Sequence, residues 1–280
     1  MMERVPTARM PSGSRAVTVS AGARILIGRI ALIGGLIVAW EAATGGFGLG
    51  WKVFETAIVA RPSLIAQDVI VYARSGFLAR DLQATLSAAF LGLFFGAAGG
   101  VAVGLLFGYL TTLAAIFEPI MVALNSLPRI TVAPMLILWF GLGMTSKVVL
   151  SLFTVFFVIF FNTFLGVRNV DPELVRAVRV MGGGPRQVAR MVVLPSVASW
   201  VFAALRTSVS FALTGAVVGE FVGSTRGLGY RMLLAAGTLH TERVFAIMVI
   251  LMIVGVTLVE ISRRVERYLL RWRPPQAQMG

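Results

Sequence analysis

The side chains that could do covalent chemistry are few and far apart. The 280-residue sequence has no Cys and a single His, His240, so a thiolate nucleophile, a disulfide framework and a multi-histidine metal cluster are excluded within one chain. Its two lysines, Lys52 and Lys147, lie outside any G-x-x-x-x-G-K-[ST] stretch, so the chain is not expected to hold or hydrolyse ATP. An intramembrane hydrolase needs a nucleophile with a base beside it, and no such pair is visible. A proton-driven carrier needs acids or His within its apolar segments, and Glu118 and Glu220 are the residues that approach this. Arg206 lies about 15 Å along a helix from Ser196. A charge at that depth faces protein or water, so it could pair with Glu118, donate to carbonyls or attract an anion. Glu220 and Arg129 fall near the ends of apolar runs, where solvated positions are expected, and His240 reads as a surface residue. Asn125, Arg129, Trp139, Arg206 and Glu220 are therefore candidates for a solute path or gate, and no metal site is expected.

The elements that must position these residues are apolar. The chain is 58% hydrophobic and 13% charged, against about 25% charged in soluble domains, and its mean hydropathy is +0.88. The net charge of +13 is nearly all Arg. The basic residues flank apolar runs, which fits anionic lipid headgroups and excludes nucleic acid as the natural partner. Apolar runs at Ile25–Ala43, Thr85–Leu110, Leu113–Gly141, Val148–Val167, Ser196–Val222 and Val244–Ile261 predict an all-α, polytopic membrane protein with about six transmembrane helices. The first run is read as a retained span rather than a cleaved signal. Residues 1–24 form an N-terminal segment, 25–264 the transmembrane part and 265–280 a tail. The third run is broken at Pro128-Arg129, so Asn125 to Thr131 is either an interfacial elbow or part of a lined pathway.

Two further patterns concern packing and orientation. Gly92, Gly96, Gly100, Gly104 and Gly108 recur every fourth residue and make a groove about 24 Å long on one helix face. Gly215, Gly219 and Gly223 form a second stripe. In lipid such stripes let backbones approach, so tight helix packing is expected at both. The N-terminal segment, the stretch Arg168 to Pro195 and residues 263–280 carry four, five and five Arg and fall on one side of a six-span chain, so both termini are expected in the cytoplasm.

The Arg168–Pro195 loop interrupts the apolar pattern. Asp171 suits an N-cap, Pro172 the first helical position and Glu173 the positive end of the helix dipole. A helix should run to Met181 with Leu174, Val178 and Met181 on one face, and Arg176 and Arg179 away from it. Gly182 to Gly184 should stop it, and Pro185 should open a second helix that ends before Pro195. Two short amphipathic helices around a glycine turn can dock in another protein's groove or lie on the bilayer.

The loop resembles the cytoplasmic coupling motif of binding-protein-dependent ABC importer permeases: Glu-Ala-Ala, three residues, Gly, nine residues, then Ile-x-Leu-Pro. Here Arg176-Ala177-Val178, Gly182 and Val192-Val193-Leu194-Pro195 keep the spacing, with Arg176 reversing a charge. Arg61-Pro62-Ser63, Leu127-Pro128-Arg129, Ala133-Pro134-Met135, Leu138-Trp139-Phe140-Gly141-Leu142-Gly143, Thr145-Ser146-Lys147, Gly219-Glu220-Phe221 and Gly227-Leu228-Gly229-Tyr230 resemble the nitrate/sulfonate/taurine branch. The resemblance implies a type I ABC importer permease fold in the bacterial inner membrane. It implies a permease homodimer on an ABC ATPase subunit dimer that carries ATP and Mg, fed by an extracytoplasmic solute-binding protein. The permease itself would be non-catalytic and without a cofactor. Its solute would be a small anion such as a sulfonate, taurine or nitrate. The competing reading is a secondary transporter or another polytopic protein working without an ATPase.

Overall fold

The computed structural model describes residues 15–46, 53–54 and 58–269. Lys52, two of the four Arg of residues 1–24 and two of the five Arg of residues 263–280 lie outside that set. The chain divides into two units, one ending at Ile65 and one beginning at Ala66. In the first, α1 (Arg15–Ala43) is followed by a turn in which the Thr44 hydroxyl bonds the Trp40 carbonyl at 3.0 Å. Glu41 accepts from the Ser63 amide at 3.0 Å and its hydroxyl at 2.8 Å, and Arg61 Nε donates to the Thr44 carbonyl at 3.0 Å. Ile30, Leu32 and Leu36 on α1 are exposed, as suits a helix whose solvent is hydrocarbon.

The unit boundary falls within α2 (Pro62–Arg74). The second unit continues with α3 (Phe77–Tyr109), α4 (Thr111–Ser126), α5 (Arg129–Phe140) and α6 (Met144–Arg168). Next come α7 (Pro172–Val180), α8 (Pro185–Val188), a π-turn at Ala189–Val193, α9 (Leu194–Val222), α10 (Leu228–Gly237) and α11 (Thr241–Leu269). Among the described residues five helical segments are long and apolar enough to cross a bilayer, and α4 with α5, bent by 94°, brings the number to six if the pair is one span. The fold is thus all-α and multi-pass. The bend falls at Leu127-Pro128, both extended, because Pro128 disfavours helix at the residue before it.

The centre of the second unit is a three-helix block of α3, α6 and α9. The α3 glycines meet α6 in ascending order. A Cβ on Gly96 would lie 2.8 Å from the Leu152 carbonyl oxygen, on Gly100 2.9 Å from Ile159 Cβ, on Gly104 2.7 Å from Thr163 Cβ and on Gly108 2.5 Å from Val167 Cβ. A Cβ on Gly92 would overlap Ser151. Both helices therefore run the same way, with backbones closer than any side chain would permit. Against α9 the order reverses. A Cβ on Gly215 would come 2.8 Å from Ser151 Cα and one on Gly219 3.1 Å from Lys147 Cα, while Gly166 abuts Trp200. Gly223 belongs elsewhere, facing Ile137 of α5 and Leu142. Ser151 donates to the Ala212 carbonyl at 3.0 Å across the α6–α9 seam. Phe156, Phe160 and Phe164 stack along α6 at 5.9 and 6.0 Å, and Phe107 meets Phe160 edge-on at 5.5 Å.

This geometry separates two neighbouring glycines. An added methyl at Gly99 would sit in ordinary contact, 3.5 Å from Phe156, whereas at Gly100 it would strike the α6 backbone. Gly100→Ala is expected to lower stability by about 1–3 kcal/mol through overpacking, while Gly99→Ala should be near neutral. Thermal melting of the two detergent-solubilised variants checks this, and equal melting temperatures would count against the close α3–α6 packing.

Candidate functional site

Two candidate regions lie at opposite ends of the three-helix block. At one end, α3 and α6 begin and α9 finishes. Here Asp81 of α3 and Glu220 of α9 are almost fully buried, at 2% and 1% exposure. Asp81 accepts from the Tyr72 hydroxyl at 2.6 Å, Arg231 Nε at 3.0 Å and the Gly227 amide at 3.1 Å. Burial, with the Asp81 carboxylate behind it, pushes the Tyr72 phenol above its ordinary pKa, so the phenol keeps its proton as a donor. Glu220 accepts from Thr85 Oγ1 at 3.0 Å and the Gly229 amide at 2.8 Å, with Lys147 Nζ 3.8 Å away. The Thr85 hydroxyl in turn accepts from the Leu228 amide at 2.9 Å. Lys147, also buried, donates to Ser224 Oγ at 2.9 Å and the Arg226 carbonyl at 3.2 Å.

Two carboxylates thus meet two cations, and three consecutive amides at the start of α10 complete the set. A helix N-terminus presents unsatisfied N–H groups and positive potential, so burying carboxylates there relieves both sides at once. Gly227 is required at this point. Its φ is +124°, and a Cβ would enter the Glu220 carboxyl group.

This corrects the expectation that Glu220 is solvated. It lies near a span end, but the Ser224–Gly229 turn folds over it. Spacing and periodicity do not mark Asp81, Thr85, Tyr72, Lys147 and Arg231 as site residues. Their signal was partly present, since three of the quoted sequence segments supply Lys147, Glu220 and Gly227 to Gly229. Arg129 is half-buried, 5.5 Å from the Phe211 ring centroid, with its Nη2 3.4 Å from Asn125 Oδ1. Trp139 is exposed. Among the described residues no hydrogen bond or ion pair joins the Asn125–Arg129 bend to the buried network. Arg206 pairs with Glu266 of α11 at 3.6 Å, while Glu118 pairs with Arg168 at 3.8 Å. His240 is exposed, its Nδ1 2.9 Å from Thr238 Oγ1.

At the other end α6 passes into the Arg168–Pro195 loop. Asp171 Oδ1 accepts from the Glu173 amide at 2.8 Å and caps α7. Gly182, at φ +81°, ends the turn after the helix. The apolar residues of α7 divide. Val175 and Val178 pack against Val188, Val193 and Val197, whereas Leu174, Val180 and Met181 are exposed. Val178 is thus not on the outward face with Leu174 and Met181; helix periodicity alone could not say which apolar edge the bundle would take. Ala177 is exposed as well, and Arg176 is exposed with its Nε 3.4 Å from the Pro172 carbonyl. The second loop helix does not end before Pro195. It continues unbroken from Pro185 to Val222. The π-turn, with the Leu194 amide reaching the Ala189 carbonyl, widens the helix where Pro195 lacks a donor. Val192 is buried and Leu194 exposed within that stretch.

Residues 96–267 match the family described as "Binding-protein-dependent transport system inner membrane component". The chain belongs to that family. It is 33% identical over 242 residues to the putative aliphatic sulfonates transport permease protein SsuC of Bacillus subtilis, covering 86% of each chain. It is 32% identical to the riboflavin transport system permease protein RibX of Chloroflexus aurantiacus, covering 85% of this chain and 87% of that one. In fold it is similar to the solved inward-facing MetNI methionine ABC transporter, with a TM-score of 0.60 and 23% identity over 69% of this chain and 95% of that one. The permease is therefore a transport component of the ABC importer kind, with the type I permease architecture.

The buried network has an asymmetry that can be measured. Glu220→Ala leaves the Gly229 amide without an acceptor and the buried Lys147 without its counter-charge, and is expected to cost about 3–5 kcal/mol. Lys147→Met leaves Glu220 with two short hydrogen bonds and should cost clearly less. Melting temperatures of the two variants in one detergent decide this, and the reverse order would contradict the assigned partners.

Proposed function

We propose that this permease translocates a small anion, a sulfonate, taurine or nitrate, across the bacterial inner membrane as a homodimer on two ATPase subunits, fed by an extracytoplasmic binding protein. Both termini and the Arg168–Pro195 loop then face the cytoplasm, in keeping with their Arg content. The observation that carries this reading is the loop itself. The capped helix α7 is fixed to the bundle by Val175 and Val178 and presents Leu174, Val180 and Met181 outward beside Arg176 and Arg179. A rigid helix with an exposed apolar edge suits a groove on a partner subunit. The names of relatives that transport sulfonates, as SsuC, and taurine, as the 28% identical TauC of Escherichia coli, support the solute class.

ATP binding and Mg belong to the partner. Closure of the two ATPase subunits moves α7, and the motion reaches the far end through α6 and through the continuous helix Pro185–Val222. That helix has 38 residues, about 57 Å at 1.5 Å each, enough to run from the loop through the bilayer to Glu220. Exposed Leu138, Trp139 and Ile130 on α5 offer an apolar face to a second copy or to lipid. Gly182 is the sensitive point, since a side chain there opposes the positive φ that ends α7.

Gly182→Val is expected to lower ATP-driven uptake by the reconstituted complex at least tenfold while the ATPase subunits still co-purify. Unchanged uptake would contradict the coupling role. Uptake by the permease alone, without any ATPase subunit, would favour a secondary transporter.

A further inference from the structure

Beside the buried network, at the end of the bundle away from α7, lies a cavity of about 440 Å³. Its charged lining residues are Arg80, Lys147 and Arg226, and no carboxylate lines it. Among the described residues the guanidinium groups of Arg80 and Arg226 have neither an ion pair nor a hydrogen bond, and both side chains are exposed. Thr225 adds a hydroxyl and Gln83 an amide, while the Ser87 and Ser224 hydroxyls donate to the carbonyls of Gln83 and Arg226. Gly143 and Met144, the start of α6, complete the wall. That 25-residue helix has no side-chain cap, and the positive end of its dipole lies at the cavity wall. Lys147 is already balanced by Glu220, so the uncompensated charge in the cavity is that of Arg80 and Arg226. Glu220 meets Lys147 from the buried side, and Asp81 is taken up by Tyr72, Arg231 and the Gly227 amide.

We infer that this cavity is a binding site for a small oxyanion, and specifically for the sulfonate group of the transported solute as it enters the permease. Two unpaired guanidinium groups, the Thr225 hydroxyl and the Gln83 amide around one cavity match a tetrahedral oxyanion, whose oxygens accept hydrogen bonds from many directions. The walls exclude other acids, so the field in the cavity is single-signed and focused by the surrounding apolar helices. This inference rests on the proposed function for the identity of the solute, though not for the presence of an oxyanion site.

The chain has no native Cys, so one introduced thiol reports on the cavity alone. Thr225→Cys, with Ser87→Cys as a second position should the first fold poorly, is labelled in the full chain in nanodiscs of zwitterionic lipid. Anionic sulfonatoethyl methanethiosulfonate should react at least tenfold faster than its cationic trimethylammonioethyl counterpart. The ratio should fall toward one when Arg80→Gln and Arg226→Gln are added. Millimolar ethanesulfonate should slow labelling about fivefold, and riboflavin should not. Equal rates for the two reagents, or no slowing by ethanesulfonate, would overturn the site. Slowing seen solely on adding phosphatidylglycerol would assign the cavity to a lipid headgroup and equally overturn it as a solute site. ATP-driven uptake is measured separately, so a failure of the permease reading would show there while protection by ethanesulfonate remained.

Discussion

A carboxylate buried at the end of an apolar bundle needs a polar or charged partner for nearly every lone pair, and Glu220 collects its partners from three separate elements. Thr85 comes from α3, Lys147 from α6 and the Gly229 amide from the start of α10. Asp81 repeats the arrangement with Tyr72, Arg231 and Gly227. Removing any one element leaves a charge or an amide without a partner in a place water does not reach, which costs more than a surface contact gains. The network therefore acts as a specification. It fixes which helix ends come together and at what height, a task apolar contacts in hydrocarbon perform poorly because lipid tails are as apolar as Leu.

Below the network the constraint changes from charge to distance. The glycine row of α3 sits on the backbone of α6, and Gly215 and Gly219 of α9 do the same from the other side. Dispersion gained at that separation holds the helices together without polar atoms, and it tolerates no added methyl where the contact is backbone. Three helices packed so tightly do not shear easily past one another. They are suited to moving as one block, with the α8–α9 helix and α6 both joining the loop at one end to the charged turn at the other.

The sequence disclosed elements whose physics is local and withheld those whose physics is tertiary. Span positions followed from hydropathy, because lipid demands apolar runs of bilayer length. The Asp171 cap and the Gly182 stop followed from short-range hydrogen bonding and from φ. The bend between α4 and α5 was marked by Pro128. By contrast, Pro195 suggested a break, yet the helix continues, because a π-turn absorbs a missing donor and no local pattern announces one. Val178 looked like part of an outward face until Val188, Val193 and Val197 were found behind it. Glu220 looked solvated from its position in the run. Its burial depends on a turn that begins at Ser224 and on residues more than 130 positions away, such as Thr85 at a sequence separation of 135. Periodicity carries no trace of such a contact.

Arg176 shows how much of the loop's role is a matter of shape. It stands where related permeases usually carry Glu, and its side chain here meets only the carbonyl of Pro172, one turn back on its own helix. Nothing in the bundle needs it for folding, since α7 is held by its cap and by Val175 and Val178. The features retained from the motif are the helix itself, the small Ala177, the left-handed Gly182 and the spacing to Pro195, all of which set the path of the backbone. The charge at position 176 is therefore free to follow the partner's groove. In the proposed complex the ATPase subunit that accepts this helix would answer Arg176 with a carboxylate, a neutral acceptor or water, while a lysine or arginine at that point would be repelled. In that proposal the backbone path brings the helix to its groove, and the charges along its exposed edge select the subunit.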